Sequence, residues 1–252
     1  MTSDVSAPPG PGGARPRPTG VPDTYLELLA DLQGGFLDGV RSANPEARVP
    51  WCGRWRVRHL VVHLARIHHW AAAQAARTRE VPLGRGPFVL DELYARCARE
   101  LRDTLGGLDP DATTSTLLGP GPVTFWHRRQ VHETLVHLWD LRTAAGLPAT
   151  APAALWADTV DELVTVMQPR QVRLGRMEQL PVRVRVEAHD TDRAWTFEAA
   201  PEVAPRPDVV VTGTAEELAL VLWRRRGVDD GGVRVDGSRE ALDALLGSRL
   251  IP

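Results

Sequence analysis

Residues 126–146, WHRRQVHETLVHLWDLRTAAG, decide the fold, because they predict a helix that carries a polar row on a largely apolar surface. Glu133 and His137 are four residues apart, which places their side chains one above the other on one helical face. Gln130 and Asp140 extend this row in both directions. A buried carboxylate or imidazole without a partner is costly, so the row requires partners. A metal ion is the natural partner of a Glu/His pair at this spacing.

A second predicted helix, over about residues 57–77, offers a further ligand. His63 lies on its apolar stripe and is expected to point to the core, in line with Leu60, Ile67 and Trp70, whereas His68 and His69 are expected to be rotated away. Together with Glu133 and His137, His63 makes a two-histidine, one-carboxylate set that leaves a coordination position open. This set suits zinc and also non-haem iron. A buried Glu–His ion pair with His63 packed nearby is the alternative, and the pattern alone leaves both open.

The composition excludes several classes of protein. The 252 residues, 43% hydrophobic and 25% charged, are typical of a globular protein with a substantial core. A net charge of -2 gives no support for a nucleic-acid or membrane partner. Two cysteines are too few for a disulfide framework, and the sequence shows neither a secretory signal nor an apolar run of about 20 residues. We therefore expect a cytoplasmic protein, monomeric or homodimeric.

The first part of the chain predicts a tail and a helical bundle. Residues 1–22 are rich in Pro and Gly and predict a disordered tail. Helices are predicted from residue 23, with Asp23 or Thr24 as the cap, and over residues 57–77, 88–105 and 126–146, with a loop before the last one. Residues 23–148 therefore predict an antiparallel four-helix bundle whose core can hold a metal.

Residues 149–252 predict a small α+β domain. A helix that ends at Pro169 is followed by period-2 alternation in PVRVRVEAHD and by further short strands in AWTFEA, DVVVTG and GGVRVDG. Two helices complete this part, TAEELALVLWRRR and SREALDALLGS, and Thr214 and Glu217 predict a capping box at the start of the first. The predicted fold class is therefore a two-domain α plus α/β protein.

Two segments resemble signatures of the mycothiol-dependent maleylpyruvate isomerase family, within the DinB-like superfamily. The first is VPWCGRWRVRHLVVHLARIHHWA at residues 49–71, and the second is RRQVHETLVHLWDLRTAAG at residues 128–146. The later runs DTDRAWTF, VTGTAEELALVLWRRR and VRVDG resemble the sterol-carrier-protein-like C-terminal domain of many members. The similarity spans about residues 23–250.

This resemblance implies a DinB-like bundle in which His63, Glu133 and His137 bind zinc, although another divalent metal also suits these residue types. It implies mycothiol as the thiol cofactor, an actinobacterial source and a small electrophilic substrate. The family's best-known reaction is the isomerisation of maleylpyruvate to fumarylpyruvate by addition and elimination of the thiolate. Two alternatives stay open: a mycothiol S-transferase in detoxification or natural-product biosynthesis, and a non-catalytic protein that binds a metal or a small molecule.

The resemblance also implies roles for four other residues. An arginine of the C-terminal domain assists catalysis in the isomerase, and Arg225 is the nearest match, with a solvated helix end as the alternative. His59 stands where the family often has Asp. We favour for His59 the role of a base that contacts the metal ligands, over that of a fourth ligand or a surface residue. Arg128 and Arg129 are predicted to bind carboxylates of the thiol or substrate, with exposed helix arginines as the alternative.

For three more residues in or near these signatures, the sequence gives weaker evidence of a role. Asp140 is expected either to orient the free ring nitrogen of His137 or to face water. Cys52 is expected to be structural, and Arg54 interrupts the family's Gly-Trp pair.

Overall fold

The computed structural model describes residues 25–251. The tail predicted over residues 1–22 and the cap predicted at Asp23 or Thr24 lie outside this part of the chain. The first half contains four long helices, which confirms the predicted bundle: α1 (Tyr25–Ser42), α2 (Val57–Ala75), α3 (Leu90–Gly107) and α4 (Thr124–Ala144). Helices α1 and α2 each pack against both α3 and α4.

Helix α4 is the central helix of the bundle, since every residue from position 131 to position 141 is buried. Its neighbours contribute the large apolar side chains, and the rings of Phe36 and Tyr94 lie 4.5 Å apart between α1 and α3. Gly39 lets α1 approach α4 closely, because a Cβ atom there would lie 2.7 Å from Cδ2 of Leu141. The polar row of α4 is therefore enclosed on most sides by packed protein.

The loop predicted between α3 and α4 contains a β-hairpin, so that expectation was incomplete. Strands β1 (Thr113–Thr116) and β2 (Gly119–Pro122) pair antiparallel. The Gly-Pro repeat of β2 has low strand propensity, and bonds from other residues hold the hairpin in place. The hydroxyl of Thr114 donates to the carbonyl of Gln74 at the end of α2, and Nε1 of Trp126 donates to the carbonyl of Ser115.

The helix that was predicted to end at Pro169 continues beyond it, so that boundary was wrong. Helix α5 (Ala153–Glu162) runs into a π-helical turn (Leu163–Met167), which leads directly into α6 (Gln168–Arg173). Pro169 stands in the first turn of α6, directly after the π turn, and the first turn is where a helix tolerates proline. The π turn thus accommodates the proline, and the helix continues to Arg173.

The remaining residues form the predicted small α+β unit. Its mixed sheet has the order β4-β3-β5-β6 and consists of β3 (Val184–Ala188), β4 (Arg193–Thr196), β5 (Val209–Gly213) and β6 (Val233–Gly237). Strands β3 and β5 run parallel and the other pairs antiparallel. A 3-10 turn (Val228–Asp230) precedes β6, and the helices are α7 (Ala215–Leu222) and α8 (Arg239–Gly247). The predicted capping box of Thr214 and Glu217 begins α7.

The two halves of the chain are in contact, since α4 of the bundle packs against α5 of the second half. In residues 25–251 we find no helix with both the length and the apolar character that crossing a membrane requires.

Candidate metal centre and its pocket

His63 from α2 and Glu133 and His137 from α4 meet at one point. The Nε2 atoms of His63 and His137 lie 3.5 Å and 3.3 Å from the same oxygen, Oε1 of Glu133. One ligand atom from each residue falls within 4.8 Å of the others. Ligands at about 2.0–2.2 Å from a tetrahedral ion lie about 3.3–3.6 Å apart, so the distance from Glu133 to each histidine and the donor types fit a divalent cation.

The ionisation of Glu133 favours a bound cation, whereas His137 must lose a proton to bind one. Burial opposes the charge of Glu133, but the guanidinium of Arg129 and hydrogen bonds from both histidines outweigh it and hold the pKa well below its usual range. Arg129 donates to Oε2 of Glu133, which leaves Oε1 to the histidines. Burial also disfavours the charged form of His137, but hydrogen bonds to Asp140 and Glu133 outweigh this and raise its pKa to about 9. A cation that binds His137 therefore displaces a proton.

Asp140 joins His137 to the α+β unit. Its Oδ2 atom lies 2.9 Å from Nδ1 of His137, which directs Nε2 towards Glu133. Arg225 donates to both oxygens of Asp140, from Nε at 3.1 Å and from Nη2 at 3.0 Å. The thiol of Cys52 lies 3.7 Å from Oδ2, and burial followed by the charge of Asp140 raises the pKa of Cys52 to about 11. Cys52 is therefore held as a neutral thiol at physiological pH.

A buried ionic network supports the other side of Glu133. Arg129 donates to Oε2 of Glu162 at 3.1 Å as well as to Glu133. His132 places Nε2 2.9 Å from Oδ2 of Asp158 and Nδ1 3.2 Å from Oε2 of Glu162. Burial disfavours protonated His132, but the charge of Glu162 and these contacts outweigh it and raise the pKa of His132. The network ties the ligand-bearing helix α4 to α5.

Arg128 extends this network to the sheet. It donates to Asp158 at 2.9 Å and to Asp161 at 2.8 Å. Arg193 and the indole N–H of Trp195, both on β4, donate to the second oxygen of Asp161, each at 3.0 Å. Arg128 is thus committed to carboxylates of α5 and joins the two halves of the chain.

A pocket of about 470 Å³ opens over the three-residue cluster. Its apolar walls include four tryptophans, namely Trp51, Trp55, Trp70 and Trp223. Arg129 and Arg225 line it from either side of Trp223, with guanidinium carbons 6.0 Å and 5.9 Å from the ring centre. Arg170 and Arg176 also line it, and within residues 25–251 their side chains have no hydrogen-bond or ion-pair partner. Burial and three neighbouring arginines lower the pKa of Arg170. The pocket therefore suits a ligand that is both anionic and partly apolar.

The structure does not bring every predicted residue to this pocket. Arg129 and Arg225 line it, whereas Arg128 does not. His59 is exposed in the first turn of α2, where its Nδ1 accepts a hydrogen bond from the backbone N–H of Arg56 at 3.0 Å. His59 also lies outside the three-residue ligand cluster.

Two histidines of α2 were expected to be rotated away from the core, and this was wrong. His68 is fully buried, with Nδ1 2.9 Å from Oε1 of Gln130, so it is the partner of the first residue in the polar row of α4. His69 is also buried, between Glu100 and the carbonyl of Val81, at 2.7 Å from each. Packing against α3 as well as α4 gives α2 a wider buried face than its apolar stripe indicates.

Sequence reasoning missed two pairs of functional residues. Asp158 and Glu162 are four residues apart in a largely apolar helix, which was a detectable sign of a buried ionic pair. Arg170 and Arg176 had no comparable signal, because they reach the pocket only through the continuation of the helix past Pro169 and the turn that follows.

Together, the fold and the site define a class of protein: a helical bundle with a two-histidine, one-carboxylate centre, joined to an α+β domain that reaches the ligands. The family model for the mycothiol maleylpyruvate isomerase N-terminal domain matches residues 26–142. The model for the MDMPI C-terminal domain matches residues 154–244. The chain therefore belongs to the mycothiol-dependent maleylpyruvate isomerase family of enzymes, which confirms the resemblance seen in its sequence.

Two solved structures share the fold. One is the crystal structure of the mycothiol-dependent maleylpyruvate isomerase, with a TM-score of 0.60 and 16% identity, covering 84% of this chain and 91% of that chain. The other is a histidine-to-alanine mutant of such an isomerase, with a TM-score of 0.61, 14% identity and the same coverage. No curated protein matches the chain.

Proposed function

We propose that this protein is a zinc-dependent isomerase that uses mycothiol to convert a cis double bond, of the maleylpyruvate type, into the trans form. The observation that carries the proposal is the cluster of His63, Glu133 and His137, whose ligand atoms lie within 4.8 Å of one another and which opens into a pocket. Three protein ligands leave a coordination position free, as in catalytic zinc sites. A zinc ion held there supplies Lewis-acid character that favours the thiolate of a bound thiol.

The residues behind the ligands hold them in the orientation that the metal requires. Asp140 accepts the Nδ1 proton of His137, so the lone pair of Nε2 faces the centre. Arg225 fixes Asp140 through both of its oxygens, and Arg129 fixes Glu133 through Oε2. Arg225 and Arg129 are therefore proposed as positioning residues that also face the pocket.

Arg170 and Arg176 are proposed to receive the carboxylates of the substrate, because their side chains are free of partners within residues 25–251 and face the pocket. The thiolate sulfur adds to one carbon of the activated double bond, and the remaining single bond rotates. Expulsion of the same thiolate restores the double bond in the trans form, so no atom is gained or lost. The tryptophan walls exclude water from the adduct.

The two halves of the chain contribute different parts of this site. We propose a bundle domain over residues 23–148, which supplies the metal ligands, and a second domain over residues 149–252, which supplies Arg170, Arg176 and Arg225. For His59 and Arg128, their bonds to the start of α2 and to α5 support structural roles in place of the catalytic and thiol-binding ones. We retain the cytoplasm as the proposed location.

The direct test is to load the purified protein with zinc and to follow maleylpyruvate by its ultraviolet absorbance, with and without mycothiol. We expect isomerisation that requires both mycothiol and metal, and that is lost in Glu133→Gln. Arg206→Ala is the control variant, because it removes an exposed arginine that does not line the pocket. Zinc-loaded protein that leaves maleylpyruvate unchanged in the presence of mycothiol would contradict the proposal. A stable mycothiol adduct without the trans product would favour the transferase alternative.

A further inference from the structure

A second pocket, of about 850 Å³, neighbours the metal-centre pocket. The two pockets share Trp55 and His63 in their walls and no other residue. The second pocket is formed by the loop before α2, the exposed side of α2 and the segment that leads into α3. It is therefore separate from the volume assigned to the thiol and the substrate.

The lining of this second pocket carries an excess of positive charge. Four arginines line it, Arg54, Arg58, Arg66 and Arg85, and no acidic residue does. Arg58 pairs with Glu46 outside the lining, and Arg66 donates to the carbonyl of Gly84 at 2.9 Å, which holds the segment before α3 against α2. The side chains of Arg54 and Arg85 have no hydrogen-bond or ion-pair partner among residues 25–251.

The pocket also has an apolar side, formed by Trp55, Val62, Pro87, Phe88 and Leu90. Guanidinium groups bind carboxylates and phosphates through paired hydrogen bonds, and the planar rings of Trp55 and Phe88 suit an aromatic or other flat apolar group. Like charges held close together without counter-ions repel one another, and a bound dianion removes that repulsion. The combination selects a small molecule with an apolar body and two negative charges.

We propose that this pocket binds a small organic dianion, a dicarboxylate or a phosphate monoester with an apolar body, independently of the metal and the thiol. Arg54 and Arg85 hold the anionic groups, and the surface of Trp55 and Phe88 covers the apolar body. This function goes beyond the proposed isomerase, since Glu133, His137, Arg170 and Arg176 do not line this pocket.

Isothermal titration calorimetry of the full chain in chelator tests the proposal, with phthalate and phenyl phosphate as two separate probes. We expect saturable binding of at least one probe, and its identity distinguishes the carboxylate source from the phosphate source. The double variant Arg54→Ala/Arg85→Ala should weaken that binding about tenfold or more. These side chains are exposed, so the variant should keep the fold, which circular dichroism checks.

Two matched variants decide where a probe binds. The double variant Arg170→Ala/Arg176→Ala removes the free arginines of the metal-centre pocket, where a carboxylate probe can also bind, and Arg206→Ala removes an exposed arginine elsewhere; a saturable site should remain in both. A site that persists when Arg54→Ala/Arg85→Ala is combined with Arg170→Ala/Arg176→Ala, or the loss of all binding in Arg170→Ala/Arg176→Ala alone, would overturn the proposal, as would the absence of binding for both probes. None of these results depends on isomerase activity, so the two proposals fail separately.

Discussion

Arg225 donates two hydrogen bonds to Asp140, at 3.1 Å and 3.0 Å, although the two residues belong to different halves of the chain. Asp140 in turn lies 2.9 Å from the ring nitrogen of His137 that faces away from Glu133. The C-terminal half therefore acts on His137 through Asp140, and on Glu133 through the contact of Glu162 with Arg129. Residues of both halves thus hold the two α4 members of the candidate metal centre in place.

Replacing Asp140 by Asn should lower zinc affinity by about 10–100-fold, because the carboxylate fixes the tautomer and raises the basicity of His137. Competition with a chromophoric chelator measures this. Asp103→Asn, which changes an exposed carboxylate on α3, should leave the affinity unchanged. Equal affinities in wild type and Asp140→Asn would show that Asp140 does not support the ligand.

Zinc affinity should rise about tenfold per pH unit between about pH 7 and 8.5, because binding displaces one proton from His137. The pKa of His137 is raised from 6.5 to about 9 in the folded protein. The stability that its proton gives the metal-free protein is complete below about pH 6.5 and is lost as the pH rises through about 9. Chelator competition over this range measures the slope, and a flat profile would contradict the assigned pKa.

Replacing Asp158 by Ala should destabilise the fold by about 3–5 kcal/mol, because it removes the buried carboxylate that Arg128 and His132 share. Asp158 accepts hydrogen bonds from Tyr25 at 2.8 Å and Arg128 at 2.9 Å, and lies 2.9 Å from Nε2 of His132. Urea unfolding measures the change in free energy. Asp229→Asn, which breaks a fully exposed pair with Arg239, is the control and should have little effect. Similar decreases in the free energy of unfolding in both variants would show that the buried network contributes no more to stability than an exposed ion pair.

Two glycines of α1 should respond in opposite directions to alanine. Gly39→Ala should destabilise the fold by about 1–3 kcal/mol, because the new methyl group meets Leu141 at 2.7 Å. Gly34→Ala should stabilise it by about 0.5–1 kcal/mol, because the site is helical and nothing lies within 4 Å of the new atom. Thermal unfolding of both variants measures the contrast. Stabilisation by Gly39→Ala would show that α1 does not pack on α4 as closely as described.

The sequence predicts the long elements and the ligand spacing because both follow from local periodicity. The stripe that contains His63 and the four-residue step from Glu133 to His137 are visible without any tertiary information. The alternating valines of β3 and the capping box of α7 are equally local. For the same reason, the predicted helix boundaries differ from those of the structure by only a few residues.

The features that sequence reasoning missed are those that tertiary contacts create. The hairpin β1–β2 is held by bonds from α2 and α4, and the π turn before Pro169 keeps a helix that local rules would end. His68 is buried because α2 packs on two helices, and Arg170 reaches the pocket only because its helix continues. Local patterns contain no information on such long-range partners.

Zinc content per chain tests the central claim most directly. Elemental analysis after zinc loading and gel filtration should give about one zinc per chain in the wild type and in His189→Ala, whose histidine is exposed in the α+β unit. His63→Ala and His137→Ala should lose most of this zinc while circular dichroism shows the fold intact. A stoichiometric zinc retained in both variants, or no zinc in the wild type, would contradict the three-residue metal centre.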